Sequence, residues 1–325
     1  MAIAADFITK NNVNVYIGTE VTLGIGCVTG GVWHTAPVTD YSIQDIKAPL
    51  ELAPQRANTS TQPESGAIHN RTQQLWEISL TMRGTAAVIN RMCLALFGDG
   101  TSPNALLGNM PAQKTYVNGV TNAVPVTILF ENAAATAASI DQHYIGCMCT
   151  GMELAYAWGT DAGEMSCVAT FVTGYLPVEV ALVPTLPTDM NGTPFNIKNL
   201  TALGQGFGGA DLLVYVYSLS IQRAVQRAGW IDTTYAPSGY SVGPYEVTGN
   251  LTCKRDTGSY SVATNTSTGI ALAITDGTLV IAAPKVMIEN LTTELGDKDW
   301  KRVYAYRAFF DDAAMTNPIV TITTA

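Results

Sequence analysis

One alternating strand pattern occurs twice in this chain, once in each half. Residues 76–83, Trp-Glu-Ile-Ser-Leu-Thr-Met-Arg, alternate apolar and polar side chains, and residues 245–254, Tyr-Glu-Val-Thr-Gly-Asn-Leu-Thr-Cys-Lys, repeat the scheme. Because successive side chains of a strand point to opposite faces, each segment puts Glu, Ser or Thr and a terminal cation on one face. The other face carries an aromatic residue followed mostly by aliphatic ones, with Gly249 as the exception. Two such strands predict one β unit used twice, which is more common in building blocks than in catalysts.

Length and composition favour a protein that contacts copies of itself. The 325 residues suffice for two domains, each with its own core. The chain is 47% apolar but only 13% charged, well below the usual quarter. A neutral surface rich in Thr and Asn suits self-association, although an ordinary β-rich protein has the same composition. The net charge is −9 with no basic stripe, so a phosphate-gripping function is not expected.

Cysteine usage and the N-terminal residues predict a cytoplasmic location. The six cysteines include Cys147 and Cys149, which lie two apart on one strand face and cannot easily pair with each other. The first ten residues lack the basic start and apolar core of a signal peptide. No segment is apolar for long enough to span a bilayer, so no membrane association is expected. We therefore expect reduced thiols.

The periodicity predicts a mainly β protein with one clear helix. An apolar stripe over 85–97, closed by Gly98, predicts that helix. Alternation predicts strands at 13–18, 75–83, 125–130, 143–158, 164–173, 212–223, 244–254, 270–275, 278–289 and 301–310. Residues 159–163, Gly-Thr-Asp-Ala-Gly, are the expected turn between two of these strands.

Two segments without strand periodicity suggest how the chain is organised. Residues 183–194 hold three prolines and a glycine, and we interpret them as a linker between domains at 1–182 and 195–325. Residues 44–72 lack a sustained period and contain three prolines, which is typical of a long functional loop. The segment from Ile46 to Leu52 is more apolar than a solvated loop requires. We interpret 44–72 as an arm that packs on a neighbouring subunit, the alternative being a floppy insertion.

Two sequence motifs match enzymes but have the wrong surroundings. Residues 204–209 fit G-x-G-x-x-G, yet a strand pattern follows where a dinucleotide-binding loop requires a helix. Ser241 stands in a G-x-S-x-G motif, but Pro244 and a strand follow, and all three histidines precede it. A flexible glycine loop and an ordinary strand are the preferred interpretations.

No metal, cofactor or catalytic site is predicted. His143, Cys147 and Cys149 share one strand face, but a zinc site needs a fourth converging ligand and none is evident. The acidic pairs at 297/299 and 311/312 are typical of solvated turns. We therefore expect no catalytic residue, no metal and no cofactor.

The sequence resembles the tail tube (major tail) proteins of long-tailed bacteriophages. Residues 144–174 are similar to a family hairpin, with an Ile-Gly-Cys strand, a Leu-alternating stretch, a Gly-Asp turn and a return strand ending in Gly. Residues 214–254, with Leu-Ser-Ile-Gln-Arg and Val-Thr-Gly-Asn-Leu-Thr, resemble the start of the family's second half. Residues 283–309 also fit, and the likeness covers most of the chain outside 1–70.

This resemblance implies a fold and a mode of assembly. In that family each domain is a β-sandwich or small barrel with a flanking helix and a long loop. Two-domain members form trimeric rings that imitate six-fold symmetry, and one-domain members form hexamers. Rings stack into a hollow tube, and the long loop reaches a neighbouring ring. By position and length this loop corresponds to 44–72, which makes Ile46, Leu50, Leu52 and Arg56 candidate ring-stacking residues.

The same resemblance implies a structural virion protein with defined partners. The partners would be the protein itself, the tape-measure, baseplate or tail-tip and tail-terminator proteins, and double-stranded DNA that passes without specific binding. Assembly would take place in the bacterial cytoplasm. Because attraction would stall a sliding duplex, an acidic bore is expected, and Glu77 and Glu246 are the candidate lumen-facing residues. The alternatives are a capsid decoration or baseplate component, a tube-forming secretion-system relative, or a β-rich hydrolase.

Overall fold

The computed structural model describes most of both halves of the chain. It covers residues 13–20, 23–28, 30–47, 51–54, 67–70, 74–97, 125–132, 141–159, 161–179, 184–200, 206–207, 213–228, 237, 239–254, 269–276, 279–295, 300–309 and 319–324. Over these residues the protein is mainly β, as the periodicity predicts.

The described part of the chain contains one α-helix and eighteen strands of very different length. The helix α1 spans Ala86–Phe97. The strands are β1 (Val13–Thr19), β2 (Trp33–Ala36), β3 (Val38–Lys47), β4 (Glu51–Pro54), β5 (Ala67–Asn70), β6 (Gln74–Arg83), β7 (Val126–Asn132), β8 (Gln142–Ala157), β9 (Ser166–Thr173), β10 (Val178–Glu179), β11 (Thr188–Asp189), β12 (Gly206–Phe207), β13 (Val214–Ala228), β14 (Gly239–Lys254), β15 (Ile270–Asp276), β16 (Leu279–Leu295), β17 (Trp300–Ala308) and β18 (Thr321–Thr324).

The predicted helix and the ten predicted strands are all present, with shifted ends. The helix begins where the Thr85 hydroxyl accepts a hydrogen bond from the Val88 amide at 3.2 Å, which satisfies one of its free N–H groups. Its apolar face, with Ile89, Met92 and Leu96 fully buried, packs on β8 and β9. Local periodicity therefore identified the elements that bury one complete face.

The interpretation of residues 44–72 as a patternless loop is wrong in part. Strand β3 continues to Lys47 and pairs with β6, and β4 pairs with β5 as a separate two-stranded hairpin. These strands were missed because their pairing partners, rather than an alternation of their own, hold them extended. Ile46 lies in β3 opposite Leu75, and Leu52 lies in β4 opposite His69. Leu50 and Arg56 lie outside the described residues.

The two halves of the chain repeat one strand order. In the first half β3 pairs with β6, β6 with β9, β9 with β8, and β8 with β7 and β10. In the second half β13 pairs with β14, β14 with β17, β17 with β16, and β16 with β15 and β18. All of these ladders are antiparallel. The short strand that precedes each set also pairs alike, β1 with β7 and β12 with β15.

A tripeptide that recurs in both halves sets the same register in each. The sequence Ser-Ile-Gln ends at Gln44 in β3 and at Gln222 in β13. Gln44 lies opposite Glu77 of β6, and Gln222 lies opposite Glu246 of β14. The two glutamates that the strand pattern aligns are therefore also equivalent in their pairing.

Gly249, the exception in the repeated pattern, makes room for a ring. In the first half Leu80 lies opposite Ala169, and in the second half Gly249 lies opposite Tyr306 at the equivalent positions. A Cβ on Gly249 would overlap the Ser218 carbonyl oxygen as well as the Tyr306 ring. The large and small side chains have exchanged strands, so the packed volume is conserved.

One ladder joins the halves into a common sheet. The C-terminal part of β8 pairs with β9 on one side and with β13 on the other, with Met152 opposite Ile221. The order across the junction is β3-β6-β9-β8-β13-β14-β17-β16. One hydrophobic cluster also contains buried residues of both halves. The domain boundaries at 182 and 195 stay a prediction.

The described part of the proline-rich segment 183–194 is tied to the first half. The Met190 amide donates to the Thr35 carbonyl at 3.1 Å, and the Thr85 hydroxyl donates to the Met190 carbonyl at 2.9 Å. Strand β11 within this segment adds in parallel to β2. The segment connects the halves as a packed part of the first one.

Candidate functional site

The candidate lumen residues Glu77 and Glu246 lie on the polar face of the common sheet. Their neighbours along each strand, Ile78 and Val247, are buried on the opposite face. Both glutamates line one open recess of about 800 Å³ that extends over the junction of the halves, together with Glu153 of β8. We call this recess the acidic recess. The structure therefore brings the two predicted residues together, and their exposure to a lumen stays a prediction.

An ion-pair network occupies the second-half side of the acidic recess. The Arg307 guanidinium contacts the carboxylates of Glu246 and Glu289, each at 2.7 Å. The hydrogen bond that Arg307 donates to Glu289 and the two negative charges raise the pKa of Arg307. In the first half Thr170 takes the equivalent place opposite Ser79. Charge is therefore partly neutralised beside Glu246, while the first-half ladder offers no cation at the matching position.

A buried arginine crosses the junction beneath the recess. Arg223 of β13 donates from Nε to the Cys149 carbonyl of β8 at 3.1 Å, and from Nη1 to the Tyr245 hydroxyl at 3.2 Å. That hydroxyl donates in turn to the Leu96 carbonyl at the end of α1, at 3.0 Å. These hydrogen bonds, from β13 to β8 and through Tyr245 to α1, connect the two halves. The sequence contained a signal for this buried arginine: Arg223 follows Ser-Ile-Gln on the apolar face of the strand, where a cation is unusual.

A buried carboxylate forms a second connection between the halves. Asp276 of β15 accepts from the Tyr156 hydroxyl at 3.0 Å and from the Asn196 amide at 2.8 Å. Burial and the neighbouring Asp276 raise the pKa of the Tyr156 hydroxyl far above its ordinary value. Sequence reasoning missed Asp276, because nothing in a strand-end Asp distinguishes a buried acceptor from a solvated one.

Two long strand edges lack a ladder partner within the part of the chain that the structure describes. One is the outer edge of β3, which pairs only with β6, and the other is the edge of β16 beyond Asn290, where β17 is its one neighbour. Half-buried apolar residues lie at both edges, Ile43 on β3 and Leu291 on β16. Such edges are templates for pairing with another chain.

The side chains weighed as metal ligands and as a nucleophile lie in strands. His143, Cys147 and Cys149 are buried in β8, and burial raises the pKa of the Cys149 thiol to about 12. No cluster of His, Cys, Asp or Glu suited to a metal occurs among the residues described. Ser241 lies inside the continuous strand β14, where a nucleophile elbow requires a turn into a helix.

Two further observations complete the description of the site. The helix of the described residues is too short to cross a bilayer. No protein-family model matches the chain, and no curated protein sequence is significantly similar to it.

Proposed function

We propose that the protein is a structural subunit that closes into rings by edge-to-edge strand pairing, and that these rings stack into the hollow tail tube of a long-tailed bacteriophage. The observation that carries the proposal is the ladder between β8 and β13. In the order of the sheet, β8 is the last strand of the first repeat and β13 is the first strand of the second. Their equivalents are β16, at the end of the second repeat, and β3, at the start of the first, and both are open edges among the described strands.

The repeated order supports ring closure by the same ladder. In the common sheet β8 and β16 are equivalent strands, and so are β13 and β3. If β16 of one copy pairs with β3 of the next, every junction between repeats uses one geometry, whether inside a chain or between chains. A head-to-tail interface of this kind closes into a ring when its rotation permits. With two repeats per chain, three chains supply the six repeats of the ring that the resemblance implies, so we propose a trimer.

The intrachain ladder also fixes the expected register between chains. Within the chain Ser220 lies opposite Glu153. By their shared partners, Ser42 is equivalent to Ser220, and Asn290 to Glu153. Ser42 of one copy should therefore lie opposite Asn290 of the next. Both side chains are exposed in the single chain and belong to the polar face.

The polar face suits a channel for DNA. It would line the ring on the side away from the buried core, with the carboxylates of the acidic recess exposed to the lumen. Carboxylates repel phosphates, so a duplex could slide without being held. The tandem two-domain division, tape-measure, tail-tip and terminator partners, and the virion location belong to the same proposal.

Cysteine cross-linking of Ser42→Cys/Asn290→Cys tests the ring. The six native cysteines are buried, so the engineered pair supplies the accessible thiols. Directly opposite Cβ atoms are about 5 Å apart in a ladder, within reach of a short bifunctional thiol reagent. We expect covalent dimers and trimers and no larger species, with rings in electron microscopy.

A matched pair provides the control. Ser42→Cys/Asn250→Cys places the second thiol on the polar face of β14, a strand with neighbours on both sides. This variant should give no chain-to-chain products. Cross-linking that is equal in both variants, or a strictly monomeric protein at high concentration, would contradict the proposal.

A further inference from the structure

Trp76 of β6 carries a hydrogen-bond donor that has no acceptor in the described part of the single chain. Its indole Nε1 is buried, and no partner for it occurs among the residues that the structure describes. The ring packs edge-on against Tyr144, with 6.1 Å between the ring centres, and the residue is only partly buried. Because a buried donor without a partner costs free energy, an acceptor from outside the described chain would stabilise it.

The repeat of the sheet identifies Tyr245 of β14 as the counterpart of Trp76. Trp76 directly precedes Glu77 in β6. Tyr245 directly precedes Glu246 in β14. The two glutamates are equivalent in their pairing, so the two aromatic residues occupy the same position in their repeats. Each begins the apolar face of the repeated strand pattern.

The counterpart in the second half is hydrogen-bonded across the junction of the halves. The Tyr245 hydroxyl accepts from Arg223 at 3.2 Å and donates to the Leu96 carbonyl at 3.0 Å. Leu96 lies in the last turn of α1, where the main-chain carbonyls have no partner inside the helix. Tyr245 therefore donates to a main-chain carbonyl of the repeat on the other side of the β8–β13 ladder.

We infer that Trp76 is a contact residue between chains, and that its indole N–H donates to a main-chain carbonyl of the next copy in the ring. The inference rests on the proposed function, because pairing of β16 with β3 of the next copy gives Trp76 the place that Tyr245 has beside the β8–β13 ladder. In the single chain β3 is an open edge among the described strands, so no other repeat lies beside it to supply the acceptor.

The replacement of Tyr by Trp at this position defines the chemistry of the partner group. A tyrosine hydroxyl accepts and donates at once, as Tyr245 does, whereas an indole N–H only donates. The group that meets Trp76 in the ring is therefore an acceptor, and a main-chain carbonyl in the place of the Leu96 carbonyl meets this requirement. A second copy of the chain is the occupant, because the internal junction already shows this contact between two repeats.

Removal of the indole N–H should affect assembly more than folding. Trp76→Phe keeps an aromatic ring and deletes the donor, so the single chain loses an unpaired group while the ring of subunits loses a hydrogen bond. We expect the protein concentration at which half of the chains are in rings to rise about 10-fold or more, as measured by sedimentation of the full-length protein.

Two further variants make the comparison specific. Trp33→Phe is the matched control, because the Trp33 Nε1 donates to the Val28 carbonyl at 2.8 Å within the chain. It should lower the midpoint of chemical denaturation by more than Trp76→Phe does and assemble at the wild-type concentration. Trp76→Tyr differs from Trp76→Phe by one hydroxyl, the donor that Tyr245 uses, and should assemble at a lower concentration than Trp76→Phe.

The outcomes separate this contact from the ring itself. Rings from Trp76→Phe at the wild-type concentration, or no advantage of Trp76→Tyr over Trp76→Phe, overturn the inference and leave the ring proposal standing. A fall in the denaturation midpoint of Trp76→Phe as large as that of Trp33→Phe would assign the acceptor to the same chain and also overturn the inference. Wild-type protein that forms no rings overturns both proposals.

Discussion

Tyr306 lies opposite Gly249 in the ladder between β17 and β14, and its ring fills the space where a Gly249 side chain would be. The Tyr306 hydroxyl also donates to the Ser218 carbonyl of β13 at 3.2 Å. The equivalent pair of the first half, Leu80 and Ala169, places the large side chain on the other strand. Each repeat thus fills the same layer of its core with one large and one small side chain, but the large one comes from a different strand in each repeat.

This exchange of volume predicts strong coupling between the two positions. Gly249→Leu should cost about 2–3 kcal/mol by overpacking, and Tyr306→Ala about 3–5 kcal/mol by leaving a cavity. The double variant removes the overlap with the ring and keeps the overlap with the Ser218 carbonyl, so it should be about 1–3 kcal/mol more stable than the sum of the two predicts and still less stable than the wild type. Chemical denaturation of the four proteins measures this. Phe97→Ala, in α1, is the control: its change in the free energy of unfolding should add to that of Gly249→Leu. If the changes from Tyr306→Ala and Gly249→Leu add in the same way, the two positions do not share one packed volume.

The buried guanidinium of Arg223 should matter for its geometry as well as its charge. Arg223→Lys keeps the cation but cannot donate to both the Cys149 carbonyl and the Tyr245 hydroxyl, which are held by different nitrogens. We expect a loss of about 1.5–3 kcal/mol in the free energy of unfolding. Gln222→Ala, on the exposed side of the same strand, should change it by less than about 0.5 kcal/mol. If the lysine variant and the wild type have equal free energies of unfolding, the hydrogen bonds of Arg223 do not stabilise the junction.

Stability should decrease on acidification in part because of His34. Burial, with the Arg91 cation nearby, lowers the pKa of His34 to about 4. In the unfolded chain it protonates near its usual pKa of about 6.5, so the unfolded state binds the proton first. This contribution is complete above about pH 6.5 and is lost as the pH falls towards 4.

The effect of His34 is measured by comparing unfolding at pH 7 and pH 4.5. After allowance for solvent screening of this half-buried ring, His34→Gln should reduce the loss between the two pH values by about 1–2 kcal/mol. Other groups that titrate in this range act on both proteins and cancel in the comparison. An unchanged pH dependence in the glutamine variant would contradict the prediction.

The carboxylates of the acidic recess should govern the passage of DNA. In a phage that carries Glu77→Lys/Glu246→Lys, phosphates would be attracted at every ring of the tube, and genome delivery should slow. The rate of DNA release in vitro measures this, with assembled tails confirmed by microscopy. Glu179→Lys, an exposed acidic residue on β10, is the control with the same change in charge per residue. Delivery at the wild-type rate would place Glu77 and Glu246 outside the lumen.

The sequence alone determined ten of the eighteen strands that the structure describes, and which face of each is buried. Alternation in 76–83 and 245–254 was sufficient, because burial of one face imposes period two on any strand that has a solvated side. The same reasoning identified α1 from its apolar stripe. It also predicted that one β unit is used twice, and the two halves do repeat one order of strand pairing.

Only the tertiary structure decided how those strands are joined. The last four residues of β3, 44–47, were taken for part of a loop, yet pairing with β6 holds the strand extended up to Lys47. The β8–β13 ladder, the guanidinium of Arg223 and the buried carboxylate of Asp276 connect residues that lie 59 or more positions apart. Such contacts depend on which surfaces meet after folding, and a local pattern of polar and apolar residues does not encode that choice.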